Sequence, residues 1–172
     1  MSRAFVKEDD AGEATIIPPR AALPPGVPNY VRPQGLEKLR AGLEELEAER
    51  SQAEANRENE ADRTRQLTIL NGKLSALNGR IASARVIDPQ EQTPDEVRFG
   101  ATVKLRTISG GKPGTIRKFT IVGVDEADVM QGLIGFVAPI AQAVTGAKVG
   151  QRLQLKLGRV EEEVEVMEIG YN

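Results

Sequence analysis

The sequence predicts an α+β protein, in which an antiparallel helical hairpin (a two-helix coiled coil) precedes a small domain built from a sheet and one helix. Three observations predict this architecture. Apolar residues recur at steps of three and four within residues 34–87, apolar and polar residues alternate within residues 97–172, and a linker rich in glutamine, glutamate, threonine and proline separates them at residues 88–96. The first pattern is typical of coiled-coil helices, and the second is typical of strands with one buried face.

The composition excludes several kinds of chemistry. The chain has 172 residues, 23 Lys and Arg against 25 Asp and Glu, and neither cysteine nor histidine. These absences exclude a Ser-His-Asp triad, a Cys-His pair and the usual zinc sites. The net charge of -2 gives no reason to expect direct binding to nucleic acid. No apolar run is long enough to span a membrane and the first ten residues are too charged for a signal peptide, so we expect a cytoplasmic protein that does not bind membranes.

Residues 1–33 predict a proline-rich, disordered leader. They contain six prolines and show no sustained periodicity, a composition that favours extended backbone. The short stretch Thr15-Ile-Ile-Pro could instead pair with an exposed sheet edge.

Two series of apolar residues predict the helices of the hairpin. Their spacing places them at the a and d positions of heptads, on one face of each helix. Pairing Leu46 with Leu70 puts the chain reversal near Glu58, and pairing Leu43 with Leu74 puts it near Asn59. The first series is Leu36, Leu39, Leu43 and Leu46, and the second is Leu67, Leu70, Leu74, Leu77, Ile81 and Ala84.

The dipeptide Asn-Gly, which usually indicates a tight turn, occurs twice within the second series, at Asn71-Gly72 and Asn78-Gly79. Both glycines fall at the outermost heptad position, so we interpret them as residues on the solvent face of a helix. Each glycine costs the helix about 1 kcal/mol relative to alanine. The helix either tolerates this cost or uses the smooth strip to let another surface approach closely.

The charges of the two helices favour an intramolecular hairpin and therefore a monomer. The first helix is rich in glutamate, whereas residues 63–85 contain five basic residues and no acidic one, so the helices attract each other side by side. The alternative is a coiled-coil dimer that carries an unrelated adaptor domain. Between Glu44 and Asp62 there are eight acidic residues and only two arginines, so the hairpin ends in an acidic tip.

Residues 97–172 predict a small sheet covered by one short helix. The stretches ATVKLRTI and TIRKFTIVGV alternate with period two and are separated by a segment rich in glycine and proline. The stretch APIAQAVTGA predicts a helix, because Pro139 suits its first turn. RLQLKL and EEEVEVMEI predict a pair of strands joined at Gly158.

These residues resemble the Gre transcript-cleavage factors of bacterial RNA polymerase. GLEKLRAGLEEL is similar to the opening of the Gre hairpin, SARVID to its close, and VRFGATVKL to the first strand of the C-terminal domain. The central signature of that domain, an aspartate-rich turn followed by a helix that begins with Ser-Pro, is similar to FTIVGVDEADVMQGLIGFVAPIAQAVTGAKVGQRLQL. The resemblance covers residues 34–172 and implies an FKBP-like C-terminal domain.

The resemblance implies a function exerted through a partner. Gre factors dock the C-terminal domain on the rim of the secondary channel of RNA polymerase and insert the hairpin into the channel. Acidic tip residues then help to hold a second Mg²⁺ in the polymerase active site, where backtracked RNA is hydrolysed. It follows that this chain is no enzyme, has no cofactor of its own, shares Mg²⁺ with RNA polymerase, and meets nucleic acid only through the polymerase. Carboxylate oxygens suit this hard cation.

The tip motif of the family matches in part. The family has an aspartate three positions before a Glu-Asn pair. Here Glu58-Asn59 match that pair, but Ala55 stands at the aspartate position. The resemblance implies that Glu58 is the metal ligand within the polymerase complex. The residues that would support it are Asn59, Glu60, Asp62 and Glu54.

The hairpin is shorter than a usual Gre hairpin by roughly one heptad in each helix, or about 10 Å of reach. A carboxylate ligates a metal only within about 2.0–2.6 Å. The alternative function is therefore that of a cleavage-inactive regulator of the Rnk type, which docks on polymerase and competes with other channel-binding factors.

At the docking end, the family contacts the polymerase rim with residues at and before its Ser-Pro step. The matching positions are Phe136, Val137, Ala138 and Pro139, which make the contact more apolar here. Alternatively, these four are ordinary core and helix-start residues. Prolyl isomerase activity is disfavoured, because isomerase pockets are lined by aromatic residues and this chain is 3% aromatic.

Overall fold

The computed structural model describes Ile17 and residues 19–172. The stretch Thr15-Ile-Ile-Pro, predicted as a possible edge strand, lies largely outside the described residues. The described chain divides into two compact units. The first holds residues 41–79 with Ile17, Pro19 and Arg20, and the second holds residues 21–40 and 80–172.

Two long helices form the hairpin, as the leucine series predict. Helix α1 spans Pro33–Ala55 and helix α2 spans Glu60–Ser83. The chain therefore reverses within residues 56–59, at the position that the pairing of the two series predicts. Both Asn-Gly dipeptides lie inside α2 and form no turn, which confirms the heptad interpretation.

The seam between the helices is filled by leucines and alanine. Leu77 is only 1% exposed, and a Cβ added to Gly42 would lie 3.8 Å from its Cδ2 atom, so α1 and α2 pack closely there. The other members of the series remain half-buried, because each helix has one partner helix only. The predicted last member, Ala84, lies in a strand instead. The buried seam residues are Leu39, Ala53, Leu70, Leu74 and Leu77.

The prediction of a disordered leader is wrong for residues 29–32. Strand β1, Asn29–Val31, pairs in parallel with strand β2, Ala84–Val86, and forms a separate two-stranded sheet. The side chain of Asn29 donates hydrogen bonds to the carbonyl of Arg80 (2.9 Å) and to Oγ of Ser83 (3.2 Å). These partners lie more than 50 residues away, so a local pattern could not reveal them.

Arg32 follows β1 and is buried in a salt bridge with Glu126. Its Nε donates to Oε1 of Glu126 at 3.0 Å, and its Nη2 donates to Oε2. Nearby, Nη1 of Arg80 lies 2.8 Å from Oδ2 of Asp125. One turn of the sheet domain thus binds the residue before α1 and a residue near the end of α2.

The predicted linker is ordered and short. It contains a 3₁₀ turn, Pro89–Glu91, in which the amide of Gln90 donates to Oδ1 of Asp88 at 2.9 Å. Pro89 is buried against Gly100, which has a positive φ of 88° and no room for a Cβ. The linker is therefore packed against the start of the sheet.

The sheet of the C-terminal domain has five strands in the order β5-β4-β3-β7-β6. Neighbouring strands are antiparallel except β4 and β5, which are parallel. A single helix, α3, packs on one face, and the predicted strand pair about Gly158 is present. The bounds are β3 Ala101–Ser109, β4 Ile116–Val122, β5 Leu133–Gly135, α3 Pro139–Val144, β6 Arg152–Leu157 and β7 Val160–Tyr171.

The core of this domain comes from alternate strand residues. In β3, inward residues are fully buried and their neighbours are half-buried, as period two requires. Within the described part of the chain, no helix is long and apolar enough to cross a membrane. The core residues are Val97, Ala101, Val103, Leu105, Phe119, Ile121, Ala141, Val144, Ala147, Leu155, Val164 and Val166.

The salt bridge between Arg32 and Glu126 predicts a large effect of removing one partner. We expect Arg32→Ala to lower the free energy of unfolding by about 3 kcal/mol, because it leaves a buried carboxylate without its counter-charge. The control is Lys104→Ala, which breaks the exposed pair with Glu168 and should cost about 1 kcal/mol or less. Urea titrations followed by circular dichroism measure both. Equal losses would contradict the assignment.

Candidate functional site

The turn between the helices is shaped by two asparagines. Oδ1 of Asn56 accepts a hydrogen bond from the amide of Glu58 at 3.0 Å. Oδ1 of Asn59 accepts one from the amide of Asp62 at 3.1 Å, so Asn59 caps the first turn of α2. The carbonyl of Asn59 also accepts the amide of Arg63 at 3.0 Å. The side chain of Asn59, predicted to support a metal ligand, is thus engaged with its own helix.

The four acidic residues predicted for the tip are all exposed. Glu54 lies in the last turn of α1, Glu58 lies in the turn, and Glu60 and Asp62 lie in the first turn of α2. Acids at a helix N-terminus interact favourably with the helix dipole, whereas an acid at the C-terminus does not. The positions of Glu60 and Asp62 therefore stabilise α2, but that of Glu54 does not stabilise α1.

One cation of the tip lies close to these acids. Nη1 of Arg63 donates to the carbonyl of Asn56 at 3.4 Å, and its Nη2 lies 4.0 Å from Oε1 of Glu60. Across the described residues, there is no group of three acidic side chains placed to hold a metal ion. The tip residues fit a divalent cation only as donors of part of its ligand set, because a cation of this kind needs six or more oxygen ligands.

The second predicted site is the step before α3. The ring of Phe136 packs against those of Tyr30 and Phe99, with centroids 5.4 and 5.6 Å apart, and its amide donates to the carbonyl of Val122 at 2.9 Å. Phe136 is therefore anchored in an aromatic cluster, in agreement with the interpretation as a core residue. A rigid side chain in this position also fixes the chain that follows it.

The rest of the step is more accessible. Val137 and Ala138 are half-buried and Pro139 is exposed. The amide of Ala138 donates to the carbonyl of Gly135 at 2.9 Å, which makes a tight turn just before α3. Ala138 is the N-cap residue of α3, and its methyl group cannot accept a hydrogen bond from the helix. Helix α3 therefore starts at an apolar residue, Ala138, at a position where a polar N-cap residue is usual.

A cavity of about 500 Å³ lies beside Phe136 rather than at the step itself. Tyr30 lines this cavity although it belongs to the predicted leader, so no sequence pattern indicates the cavity. Three of the six aromatic residues of the chain meet here, which weakens the argument from low aromatic content against a prolyl isomerase pocket. The lining residues are Tyr30, Ile87, Gln92, Arg98, Phe99, Ile121, Phe136, Gln142 and Thr145.

The sheet domain is similar to known transcription factors. Residues 91–171 match the family model described as Transcription elongation factor, GreA/GreB, C-term. The transcription elongation factor GreA of Alkalilimnicola ehrlichii is 35% identical over 108 residues, which are 62% of this chain and 66% of the relative. GreA of a Helicobacter pylori strain is 36% identical over 91 residues, which are 53% of this chain and 54% of the relative. The matches thus span between about half and two thirds of these relatives.

Two solved structures are similar over a larger share of the chain. The superposition on the GreA factor homolog 1 (Gfh1) of Thermus thermophilus covers 82% of this chain and 97% of the Gfh1 chain, with a TM-score of 0.39 and 18% identity. The superposition on the elongation factor GreA/GreB of Nitrosomonas europaea covers 84% of this chain and 99% of that factor's chain, with a TM-score of 0.41 and 19% identity.

The geometry of the turn predicts that substitutions of Asn59 and Glu58 have different effects on the free energy of unfolding. We expect Asn59→Ala to lower the free energy of unfolding by about 1 kcal/mol, because α2 loses its N-cap. Glu58→Ala, the matched control in the same turn, should change it by less than about 0.5 kcal/mol, because only the amide of Glu58 is bonded in the turn. Thermal unfolding followed by circular dichroism tests both variants. A larger loss for Glu58→Ala would refute this division of roles.

Proposed function

The chain belongs to the Gre family, and from this premise we propose that it binds RNA polymerase at the secondary channel and modulates transcription elongation. The proposal depends above all on one observation: a helical hairpin that reverses at an acidic turn is joined to a domain that matches the GreA/GreB C-terminal family. The chain acts on the polymerase rather than as an enzyme. A bacterial cytoplasmic location follows from this partner.

The docking contact is proposed to be the step before α3. Val137, Ala138 and Pro139 present an apolar surface, and the anchored ring of Phe136 holds it in place. Burial of apolar surface stabilises association without directional bonds. This chain would therefore bind the polymerase rim mainly through apolar contact, where a serine would offer a hydrogen bond.

The tip is proposed to supply part of a Mg²⁺ ligand set inside the polymerase. Glu58 is the best candidate, because Asn56 fixes its backbone while its carboxylate is exposed. Glu54 is the second candidate, since helix stability does not explain its position. A Mg²⁺ ion shared with the polymerase would lower the pKa of its bound water and stabilise the charge that develops at the scissile phosphate.

A cleavage-inactive regulator is the second candidate function. Ala55 stands where the family has an aspartate, and the described residues form no metal-binding group of three acids. Helices of 23 and 24 residues are about 35 Å long, which is short for a Gre hairpin. Such a factor would dock and compete with other channel-binding factors without stimulating cleavage.

The docking contact predicts the effect of Ala138→Asp. We expect this variant to weaken binding to RNA polymerase core enzyme at least tenfold, because it buries a carboxylate in an apolar contact. Aspartate is a favourable N-cap residue, so the variant should be as stable as the wild-type protein. The control is Gln154→Asp, which adds the same charge at an exposed position of β6. Surface plasmon resonance measures the affinities, and equal binding by all three proteins would exclude the contact.

The acidic tip predicts the effect of restoring the aspartate. In backtracked elongation complexes with Mg²⁺, we expect Ala55→Asp to release 3′ RNA fragments at least tenfold faster than the wild-type protein. Glu58→Ala should abolish release in either background. Ala48→Asp, which adds an acid to the exposed face of α1 away from the turn, should behave like the wild type.

If no variant releases RNA at saturating concentration, the metal-ligand role of the tip is rejected. The second candidate function then predicts that this protein lowers the rate of cleavage produced by an added GreA factor. A protein that neither cleaves nor competes would refute both candidate functions.

A further inference from the structure

The N-terminal segment contacts the face of α2 that carries the Asn-Gly dipeptides. A Cβ atom added to Gly72 would clash with Cδ1 of Ile17 and would lie 3.0 Å from its Cγ1 and 3.2 Å from its Cγ2. Ile17 is thus seated directly on the backbone of α2, in a notch that exists only because residue 72 has no side chain. The isoleucine remains 38% exposed, so the notch covers it only in part.

The second Asn-Gly dipeptide gives an internal comparison. Apart from its chain neighbours and the adjoining backbone of α2, no described atom lies within 4 Å of a Cβ added to Gly79, which occupies the same heptad position one repeat later. Two glycines with equal cost to the helix therefore differ in what they contact. Of the two interpretations of the smooth strip, close approach of another surface holds for Gly72, whereas the structure offers no such account for Gly79.

The same segment makes a second contact with α2. The carbonyl of Ala21 accepts a hydrogen bond from Nη2 of Arg80. A side chain in a notch and a backbone hydrogen bond are independent contacts, one apolar and one polar. Both involve residues before β1, in the part of the chain that composition predicts to be disordered.

We infer that Ile17, together with the described residues 19–21, acts as an intramolecular strap, which occupies the Gly72 face of α2 and limits the access of a partner to that face. The notch is the docking site, and its occupant is Ile17 of the same chain. A chain lying on the side of a helix adds a further layer to its width. A hairpin that is to enter a narrow cavity would have to carry or release this extra layer. The limit on access rests on the proposed function, whereas the docking of the strap does not.

The absence of native cysteine allows a direct test of the docking. Both Cγ atoms of Ile17 lie within 3.2 Å of the Cβ position of residue 72, so the two Cβ atoms are within the range of about 3.5–4.5 Å that a disulfide requires. We expect the double variant Ile17→Cys/Gly72→Cys to form an intramolecular disulfide under mild oxidation. The matched control Ile17→Cys/Gly79→Cys should not, because residue 79 lies two helical turns away. Equal cross-linking in both would overturn the strap.

Stability provides a second readout that needs no cross-link. Gly72→Ala and Gly79→Ala gain the same helix propensity, but only the first displaces Ile17. We expect Gly79→Ala to stabilise the protein more than Gly72→Ala does, and we expect the difference to vanish in an Ile17→Ser background. Equal stabilisation in the wild-type background would contradict the seating of Ile17 on Gly72.

Binding to RNA polymerase core enzyme tests the limit on access. We expect the oxidised Ile17→Cys/Gly72→Cys variant to bind at least fivefold more weakly than its reduced form, and Ile17→Ser to bind about fivefold more tightly than the wild type. Equal affinities would overturn the limit on access. If neither the wild type nor any reduced form binds polymerase, the proposed function fails, while the cross-link still decides whether the strap exists.

Discussion

Two ion pairs at one turn of the sheet domain fix the base of the hairpin. Arg32 precedes α1 and Arg80 lies near the end of α2, and they bind the adjacent carboxylates of Glu126 and Asp125. Burying such charges is costly unless each one is paired and hydrogen-bonded, so these residues tolerate only one arrangement. The parallel pairing of β1 with β2 adds a backbone constraint beside them. The helix ends are therefore part of the sheet unit.

Small residues make this arrangement possible. A Cβ at Gly35 would lie 2.8 Å from Oε1 of Glu126, and one at Gly123 would lie 2.6 Å from the carbonyl of Tyr30. The second contact is with backbone, which cannot rotate away, so Gly123 cannot be replaced without moving β1. The ion pairs, the strand pairing and the glycines thus form one constraint, and the aromatic ring of Tyr30 reaches the cavity beside Phe136 because of it.

The sequence predicted what depends on local pattern and missed what depends on distant partners. Leucine spacing identified both helices and their reversal, and alternation identified four of the five strands of the sheet domain. Strand β5, Leu133–Gly135, was not predicted, because three residues are too few to show an alternating pattern. The sequence pattern could not identify β1. A strand of three residues is too short to show a periodicity, and its pairing partner lies more than 50 residues later in the chain. The cavity beside Phe136 could not be predicted for the same reason, because its lining includes Tyr30, which is distant in sequence from the other lining residues. The sequence showed a glycine at position 72 within a helix, but it did not indicate that Ile17 packs against this glycine.

The polar residues of the tip fall into two groups: those whose positions helix stability explains, and those whose positions it does not explain. Asn59, Glu60 and Asp62 have positions that the start of α2 explains, since a cap and acids in the first turn stabilise any helix. Glu54 lies at the end of a helix that contains no basic residue in its last turn, and Glu58 lies in a turn that only its backbone needs. Exposed acids are ordinary on the solvated face of a helix, so these positions by themselves do not establish a ligand role. Among the residues proposed for the tip, Glu58 and Glu54 are the two whose positions helix stability does not explain, and a cation supplied by a partner is the contact that the proposed function offers for them.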